Sequence, residues 1–325
     1  EYGLYEYRDP RGVGDGNEGF LNLMEAIGNF PIVVEPHTIH GRLRDFEADF
    51  IYKLSQRCHV LLFKCHYQKW RLDWTFHGRN WPTPRNIMVV PHGARADKRW
   101  GIHEIPELRR QFGLNKMGLA EHVVGMIGWI QSNKRWDILL SMWENIHDEI
   151  KARTGQNWDL LAAGAMRDAD HRQDYEEWKA EALALESKGL AHYYEFIPRG
   201  DDYYKMMAIC DFIVLPSTDE TQSGTLARII ALNKPYITTA PMEGLTAQTL
   251  ESEGGLLFTT KEMLRQKVIK LASDERLRME LGENLKRYLD NVVSWEVVAG
   301  QYNEAYTLAR KASQTGQPAV LDLGF

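Results

Sequence analysis

The chain has 325 residues, of which 44% are hydrophobic and 26% charged, a globular composition that excludes collagen-like, disordered and disulfide-stapled proteins. Its formal net charge is −6, and no apolar run reaches the roughly 18 residues of a membrane helix. The three cysteines match no metal-ligand spacing and favour a reducing compartment. We therefore expect a cytoplasmic protein, with peripheral attachment to the inner membrane face as the alternative. The cysteines are Cys58, Cys65 and Cys210.

The first pattern along the chain is a glycine cluster. Gly14, Gly16 and Gly19 spell the spacing GxGxxG of dinucleotide-binding loops. That fingerprint needs a buried strand directly before the first glycine and a ribose-binding acid after it, and neither is evident. The residues therefore disfavour NAD binding, and we expect a mobile glycine-rich loop at the mouth of a cleft.

Nine short apolar runs, alternating with amphipathic stretches, predict buried strands of parallel sheets in an α/β protein. Six of them lie between residues 122 and 258, enough for a complete doubly wound domain. Residues 1–120 supply only three, and the chain opens without Met, so we expect the first strands to precede Glu1. The runs are 31–36, 59–63, 86–91, 122–130, 158–165, 191–197, 211–216, 234–239 and 254–258.

The polar sequence 109–122 predicts the boundary between the two domains. From residue 261 onward, apolar residues recur three and four apart, which predicts helices. The tail 314–325 has no clear pattern.

The charge is unevenly distributed. Residues 1–120 carry 17 Lys and Arg against 14 Asp and Glu, whereas residues 121–325 carry 22 against 31. The strip 64–100 has eight Lys and Arg, two Asp and four Trp. Such a strip suits an anionic partner such as nucleic acid, phospholipid or a phosphorylated sugar carrier. The alternative is a solvated surface with tryptophans buried beneath it.

The segment 211–239 combines a strand, a polar loop and a helix that is predicted to begin near Ser223, Gly224 and Thr225 and to end at Asn233. The unpaired amides and positive dipole end of a helix start attract phosphate. Asn233 suits the left-handed conformation that closes a helix. The alternative is an ordinary N-cap in an ordinary α/β unit.

Five segments in this order resemble the nucleotide-sugar-binding half of GT-B glycosyltransferases, specifically family 4. The resemblance covers about residues 85–310, and the upstream pieces 1–7, 31–41 and 89–93 look like a bacterial subgroup that includes mannosyltransferases. It implies two Rossmann-like domains facing across a cleft: 1–115 on the acceptor side, 116–300 on the donor side, and a segment 301–325 that crosses back to the first domain. The five segments are 125–140, 158–165, 193–198, 211–239 and 294–306.

The resemblance also assigns residues to the donor site. Lys134, after Gly128, matches the family's phosphate-binding lysine, but the arginine that commonly follows the glycine is Trp129 here. Glu220 matches the first acid of the Glu-x7-Glu pattern, which bonds the donor sugar, and the second acid falls on Arg228. A guanidinium cannot accept hydrogen bonds from a ribose diol, so Arg228 departs from the family pattern.

The resemblance also assigns residues to the diphosphate, the base and the sugar of the donor. The amides of Ser223, Gly224, Thr225 and Leu226 would meet the donor diphosphate. Ile197 would lie by the base, and His37 would face the donor sugar from the first domain.

The resemblance implies a retaining hexosyltransferase that takes mannose or glucose from GDP-mannose or UDP-glucose. It implies a front-face mechanism with no metal and no cofactor beyond the nucleotide sugar. The acceptor would be a glycan, a lipid-linked or a small-molecule hydroxyl. Two alternatives remain: a nucleic-acid acceptor held by the 64–100 strip, and a noncatalytic homologue that binds a nucleotide or glycan.

Overall fold

The computed structural model describes residues 16–28, 30–36, 43, 45–218, 222–241 and 243–321. The chain divides into an N-terminal unit, residues 1–92 with 296–325, and a C-terminal unit, residues 93–295. These bounds lie at 92 and 295, whereas the sequence placed the domain limits at 115 and 300. Each of the nine predicted apolar runs contains a strand, so the strand prediction is confirmed.

The strands of the N-terminal unit have 2 to 4 residues, and those of the C-terminal unit have 4 to 9. They are β1 (Val33–Val34), β2 (Val60–Phe63), β3 (Ile87–Val89), β4 (His122–Ile130), β5 (Trp158–Met166), β6 (Ala191–Glu195), β7 (Phe212–Leu215), β8 (Tyr236–Thr239) and β9 (Gly255–Phe258). The helices are α1 (Gly16–Ile27), α2 (Asp45–Arg57), α3 (His66–His77), α4 (Ile105–Gln111), α5 (Trp136–Leu140), α6 (Trp143–Thr154), α7 (Arg172–Ser187), α8 (Gly200–Ala208), α9 (Gly224–Ala231), α10 (Glu243–Ser252), α11 (Lys261–Ser273), α12 (Glu275–Tyr288) and α13 (Trp295–Ser313).

The N-terminal unit is built on a parallel sheet of order β1-β2-β3. Successive residues of β2 point to opposite faces: Leu61 and Phe63 pack with α2 and α3, whereas Val60 and Leu62 pack against the far end of the chain. That end is α13, whose small residues Ala305 and Ala309 are fully buried on the sheet. Both faces of the sheet are therefore covered, as a parallel sheet requires.

A buried ion pair joins α13 to this sheet. The Lys64 ammonium lies 2.8 Å from Glu35 and donates a 2.8 Å hydrogen bond to the Tyr302 hydroxyl, which also bonds Glu35. Only 6% of the Lys64 side chain is exposed. A charge buried this deeply needs its partners, so the three residues act as one connection.

The C-terminal unit contains a six-stranded parallel sheet of order β6-β5-β4-β7-β8-β9. Its two faces bury separate clusters, because alternate residues of β4 point to opposite sides: Val124 and Met126 to one, Val123 and Ile127 to the other. The predicted doubly wound arrangement is confirmed. Helices α11, α12 and α13 follow, as the periodicity after residue 261 predicts.

The C-terminal unit closes where its first and last residues meet. The Ala94 amide donates to the Val293 carbonyl at 2.7 Å. A β-carbon on Gly93 would lie 2.6 Å from the Trp295 ring, so the close approach of the two segments requires glycine there.

One prediction for the start of the chain is wrong. Gly16 and Gly19 do not lie in a loop, because the first turns of α1 contain them, with Glu18 favourably placed near the positive helix end. Gly14 lies outside the described residues. In the part of the chain that the structure describes, no helix is long and apolar enough to cross a bilayer.

Candidate functional site

The candidate site lies where the strand order of the C-terminal sheet reverses. The chain runs outward from β4 through β5 to β6, then returns to place β7 on the other side of β4. In open α/β sheets, ligands bind outside the carboxyl ends of the strands at such a switch point. The loops that follow β4 and β7 meet there: the Thr218 amide donates to the Asn133 carbonyl at 2.8 Å.

A small pocket opens at this switch point. It brings together three residues that the sequence assigned to donor binding, namely Gly128, Lys134 and Thr225. The other lining residues are Ile127, Trp129, Trp136, Val214, Leu215, Pro216 and Ser217.

The floor of the pocket depends on two glycines. Gly128 has φ = 149°, which disfavours any side chain, and a β-carbon there would lie 2.6 Å from the Tyr203 hydroxyl. Gly164 pairs with Gly128 across β4 and β5, and a β-carbon on it would collide with the Gly128 carbonyl. The backbone at the end of β4 can therefore take this path only beside a glycine.

The start of α9 forms one wall of the site. The buried Ser223 hydroxyl caps the helix by accepting the Leu226 amide at 3.2 Å. The amides of Gly224 and Thr225 lie in the first turn, where a helix supplies no internal acceptor. Together with the helix dipole they offer two donors to an anion. The helix ends as predicted, since Asn233 has φ = 52° two residues after its last turn.

Lys134 ends a short 3₁₀ turn after β4 and is partly buried. Burial, together with the positive charge of Arg167, lowers the pKa of the Lys134 ammonium to about 8. A partly buried ammonium beside a helix start can also attract an anionic ligand.

Arg228 contacts its own helix and a neighbouring aromatic ring. Its guanidinium donates to the Gly224 carbonyl at 2.7 Å, one turn back along α9, and lies over the Tyr203 ring at 4.9 Å. These two contacts stabilise the first turn of α9.

Three other predicted residues are not among the lining residues of this pocket: one lies on a loop, and the structure does not describe the other two. Ile197 follows β6 on an exposed loop, with 62% of its surface accessible, and does not line the pocket. His37 and Glu220 lie outside the described residues, so their roles stay predictions. No group of three His, Cys, Asp or Glu side chains within the described ranges is arranged to hold a metal ion.

The sequence reasoning missed Gly164, Tyr203 and Arg199. A glycine inside the predicted strand 158–165 was a usable signal, because glycine in a strand often marks a close backbone approach. Tyr203 carried no such signal, since its hydroxyl reaches Thr225 across 22 residues of sequence. The Arg199 guanidinium lies 5.5 Å from the Trp129 ring, a contact between the end of β4 and the loop after β6 that no local pattern indicates.

A second, more open pocket lies at the opposite, amino end of β4, β5 and β6, and its lining includes His122, Asp159 and His192. His192 and Asp159 are buried, with the Nε2 of His192 3.2 Å from the Asp159 carboxylate. None of the predicted donor residues lines this pocket.

Comparisons with known proteins agree on the fold. A family model described as "Glycosyl transferases group 1" matches residues 106–288, more than half of the chain. An uncharacterized glycosyltransferase of Methanocaldococcus jannaschii is 33% identical over 98 residues. That match spans 30% of this chain and 27% of the relative's length.

Two solved structures are similar to the chain over most of its length. Anabaena HepE in complex with UDP has a TM-score of 0.71 at 16% identity, covering 90% of this chain and 77% of that one. Sucrose-phosphate synthase from Thermosynechococcus elongatus has a TM-score of 0.65 at 17% identity, covering 90% and 71%. At these identities the likeness concerns the fold, and it confirms the predicted α/β class with two Rossmann-like units of the GT-B kind.

Proposed function

The chain belongs to the group 1 glycosyl transferases, and from that premise we propose a retaining hexosyltransferase of family 4, in its mannosyltransferase-like subgroup. It takes mannose or glucose from a nucleoside diphosphate sugar and transfers it to a hydroxyl acceptor. One observation carries the proposal: Gly128, Lys134 and Thr225 meet in one pocket at the switch point of the C-terminal sheet.

The donor diphosphate would lie between the start of α9 and Lys134. The amides of Gly224 and Thr225 face an anion from the helix end, and the Lys134 ammonium supplies a charge. This pocket would hold the diphosphate, with the sugar and nucleoside extending beyond it. Solved relatives of the same fold include HepE in complex with UDP and with UDP-glucose.

The reaction proceeds on one face of the sugar. The acceptor oxygen bonds to the anomeric carbon as the bond from that carbon to the diphosphate oxygen breaks. The leaving diphosphate takes the acceptor proton. Negative charge grows on the diphosphate during this step, and the Lys134 ammonium and the α9 amides stabilise it. By the family resemblance, Glu220 holds the sugar hydroxyls, and His37 orients the sugar or stabilises positive charge on it.

The test is transfer and donor hydrolysis by Lys134→Ala, assayed with UDP-glucose and GDP-mannose. We expect loss of both activities with an unchanged circular dichroism spectrum. The matched control is Lys116→Ala, which removes an exposed lysine of the same unit and should leave turnover at the wild-type rate. Near-normal turnover by Lys134→Ala would overturn the catalytic assignment. Glu220→Ala should likewise abolish transfer.

A noncatalytic nucleotide-binding homologue is the second candidate, because Arg228 braces its own helix where the family carries an acid. Calorimetric titration with nucleoside diphosphates, paired with a donor-hydrolysis assay, separates the two candidates. Binding without turnover would favour this candidate.

A nucleic-acid acceptor is favoured by one surface of the N-terminal unit. On α3, Trp70 and Trp74 are exposed with ring centroids 5.6 Å apart, and Arg71 lies on the same helix. Exposed aromatic rings beside a cation can stack on bases. DNA affinity that falls steeply between low and moderate salt would support this acceptor, and the absence of DNA binding would remove it.

A further inference from the structure

We propose that Arg199 is a donor-binding residue, and that its guanidinium contacts the diphosphate in place of the arginine that position 129 lacks. The inference rests on the proposed function, because it concerns the same donor. It assigns a residue outside the segments that the family pattern marks.

The position of Arg199 follows from the order of the strands. Arg199 follows β6, and Trp129 lies near the end of β4, with β5 between them in the sheet. The Arg199 guanidinium nevertheless lies 5.5 Å from the Trp129 ring. Small residues at the end of β5 leave room for this approach: Ala165 pairs with Trp129, and Gly164 accepts the Phe196 amide through its carbonyl at 3.2 Å.

Trp129 brings the guanidinium to the site. Trp129 lines the same pocket as Lys134 and Thr225. A guanidinium held over an indole by a cation–π contact can still offer N–H donors to a second ligand. Arginine can bind phosphate oxygens with two parallel hydrogen bonds.

The charges around Arg199 leave it available for an anion. Its acidic neighbours in the sequence pair with other cations: Glu195 with Lys179 at 2.9 Å, and Asp201 with Lys98 at 2.9 Å. Within the described part of the chain, no carboxylate forms an ion pair with Arg199.

Arg199 also belongs to a row of cations. Three neighbouring strands, β4, β5 and β6, are followed by Lys134, Arg167 and Arg199 respectively. Because the strands are parallel, their carboxyl ends share one edge of the sheet. That edge therefore presents positive charge beside the amides of α9, on the side where a diphosphate would bind.

The experiment compares the affinity of full-length variants for UDP and GDP with their affinity for uridine and guanosine, by calorimetry. Arg199→Ala should weaken diphosphate binding by about tenfold or more and leave nucleoside binding unchanged. Arg276→Ala removes an exposed arginine of α12 and serves as the charge-matched control, with no expected change. Thermal unfolding of each variant checks that the fold is intact.

A second variant tests the location. Trp129→Arg in the Arg199→Ala background places a guanidinium at the neighbouring position, so we expect it to recover most of the lost diphosphate affinity. Wild-type affinity in Arg199→Ala would overturn the inference and leave the proposed function standing. An equal loss for nucleosides would also overturn it, since Arg199 would then act on another part of the ligand. No binding of either diphosphate by the wild-type protein would overturn both the inference and the proposed function.

Discussion

The hydroxyl groups of Tyr203 and Thr225 lie 2.8 Å apart, and this hydrogen bond joins α8 to the start of α9. The Tyr203 hydroxyl also lies directly below Gly128, where a β-carbon would approach it to 2.6 Å. Burial raises the pKa of Tyr203 to about 12, so the phenol stays neutral at any physiological pH. One buried side chain thus fixes both the strand end and the helix start at the proposed diphosphate site.

The first prediction concerns Gly128→Ala. The new methyl would press on the Tyr203 hydroxyl at a φ that disfavours alanine, so we expect a loss of about 1–3 kcal/mol in the free energy of unfolding and weaker binding of UDP or GDP. Urea unfolding and calorimetry measure the two effects.

Tyr203→Phe provides the control for this substitution. In the Gly128→Ala background it removes the clashing oxygen but not the backbone strain, and should recover part of the loss. Equal stability of Gly128→Ala and the wild type would contradict the geometry at this strand end.

The second prediction concerns Gly164→Ala. Its β-carbon would collide with the Gly128 carbonyl, a backbone atom that cannot move without shifting β4, so we expect the free energy of unfolding to fall by about 2 kcal/mol or more. Gly300→Ala is the matched control, because a β-carbon there meets nothing within 4 Å and the site lies inside α13. That control should be neutral or stabilising by up to about 1 kcal/mol. Similar urea midpoints for the two variants would refute the close-contact argument.

The third prediction concerns pH. The pKa of Lys134 is lowered to about 8, and only the protonated ammonium attracts a diphosphate. Affinity for UDP or GDP should therefore be fully present about one pH unit or more below 8 and decline progressively as the pH rises through 8. Lys134→Arg keeps its charge throughout this range, so its affinity should stay level. Calorimetry at four pH values measures both curves, and parallel curves would show that Lys134 does not set the decline.

The fourth prediction concerns the connection between α13 and the N-terminal sheet. Glu35→Gln removes the countercharge of Lys64 and leaves a buried cation, so we expect the free energy of unfolding to fall by about 3 kcal/mol. Asp49→Asn breaks an ion pair with Lys53 whose two side chains are each 47% exposed, and should cost less than about 1 kcal/mol. Chemical denaturation of both variants gives the comparison. A Glu35→Gln effect no larger than that of Asp49→Asn would mean that the buried pair contributes little.

Much of the fold could be predicted from local pattern. Continuous apolar runs such as 122–130 and 211–216 identify buried parallel strands because both faces of the sheet are covered. The end of α9 could be placed because Asn233 has a strong conformational preference. These features depend on residues adjacent in sequence.

The site was less predictable, because its geometry depends on distant residues. Nothing near Arg228 indicates that its guanidinium turns back onto Gly224 and the Tyr203 ring. Nothing near Gly164 indicates that it lies against the carbonyl of Gly128, 36 residues earlier. Nothing near Arg199 indicates that it contacts Trp129, because that contact depends on the order of the strands in the sheet. The glycine-rich start of α1 was misjudged because glycine content alone predicted a loop.

The discontinuous make-up of the N-terminal unit has a consequence during synthesis. Val60, Leu62 and Val90 are made well before the residues that cover them, which run from Val298 to Ala319. Residues 93–295 must first be translated, which takes about 10–40 s at about 5–20 residues per second. Throughout that interval one apolar face of the small sheet has no cover. The C-terminal unit can complete its own core first, and the sheet of the N-terminal unit reaches its native packing only afterwards.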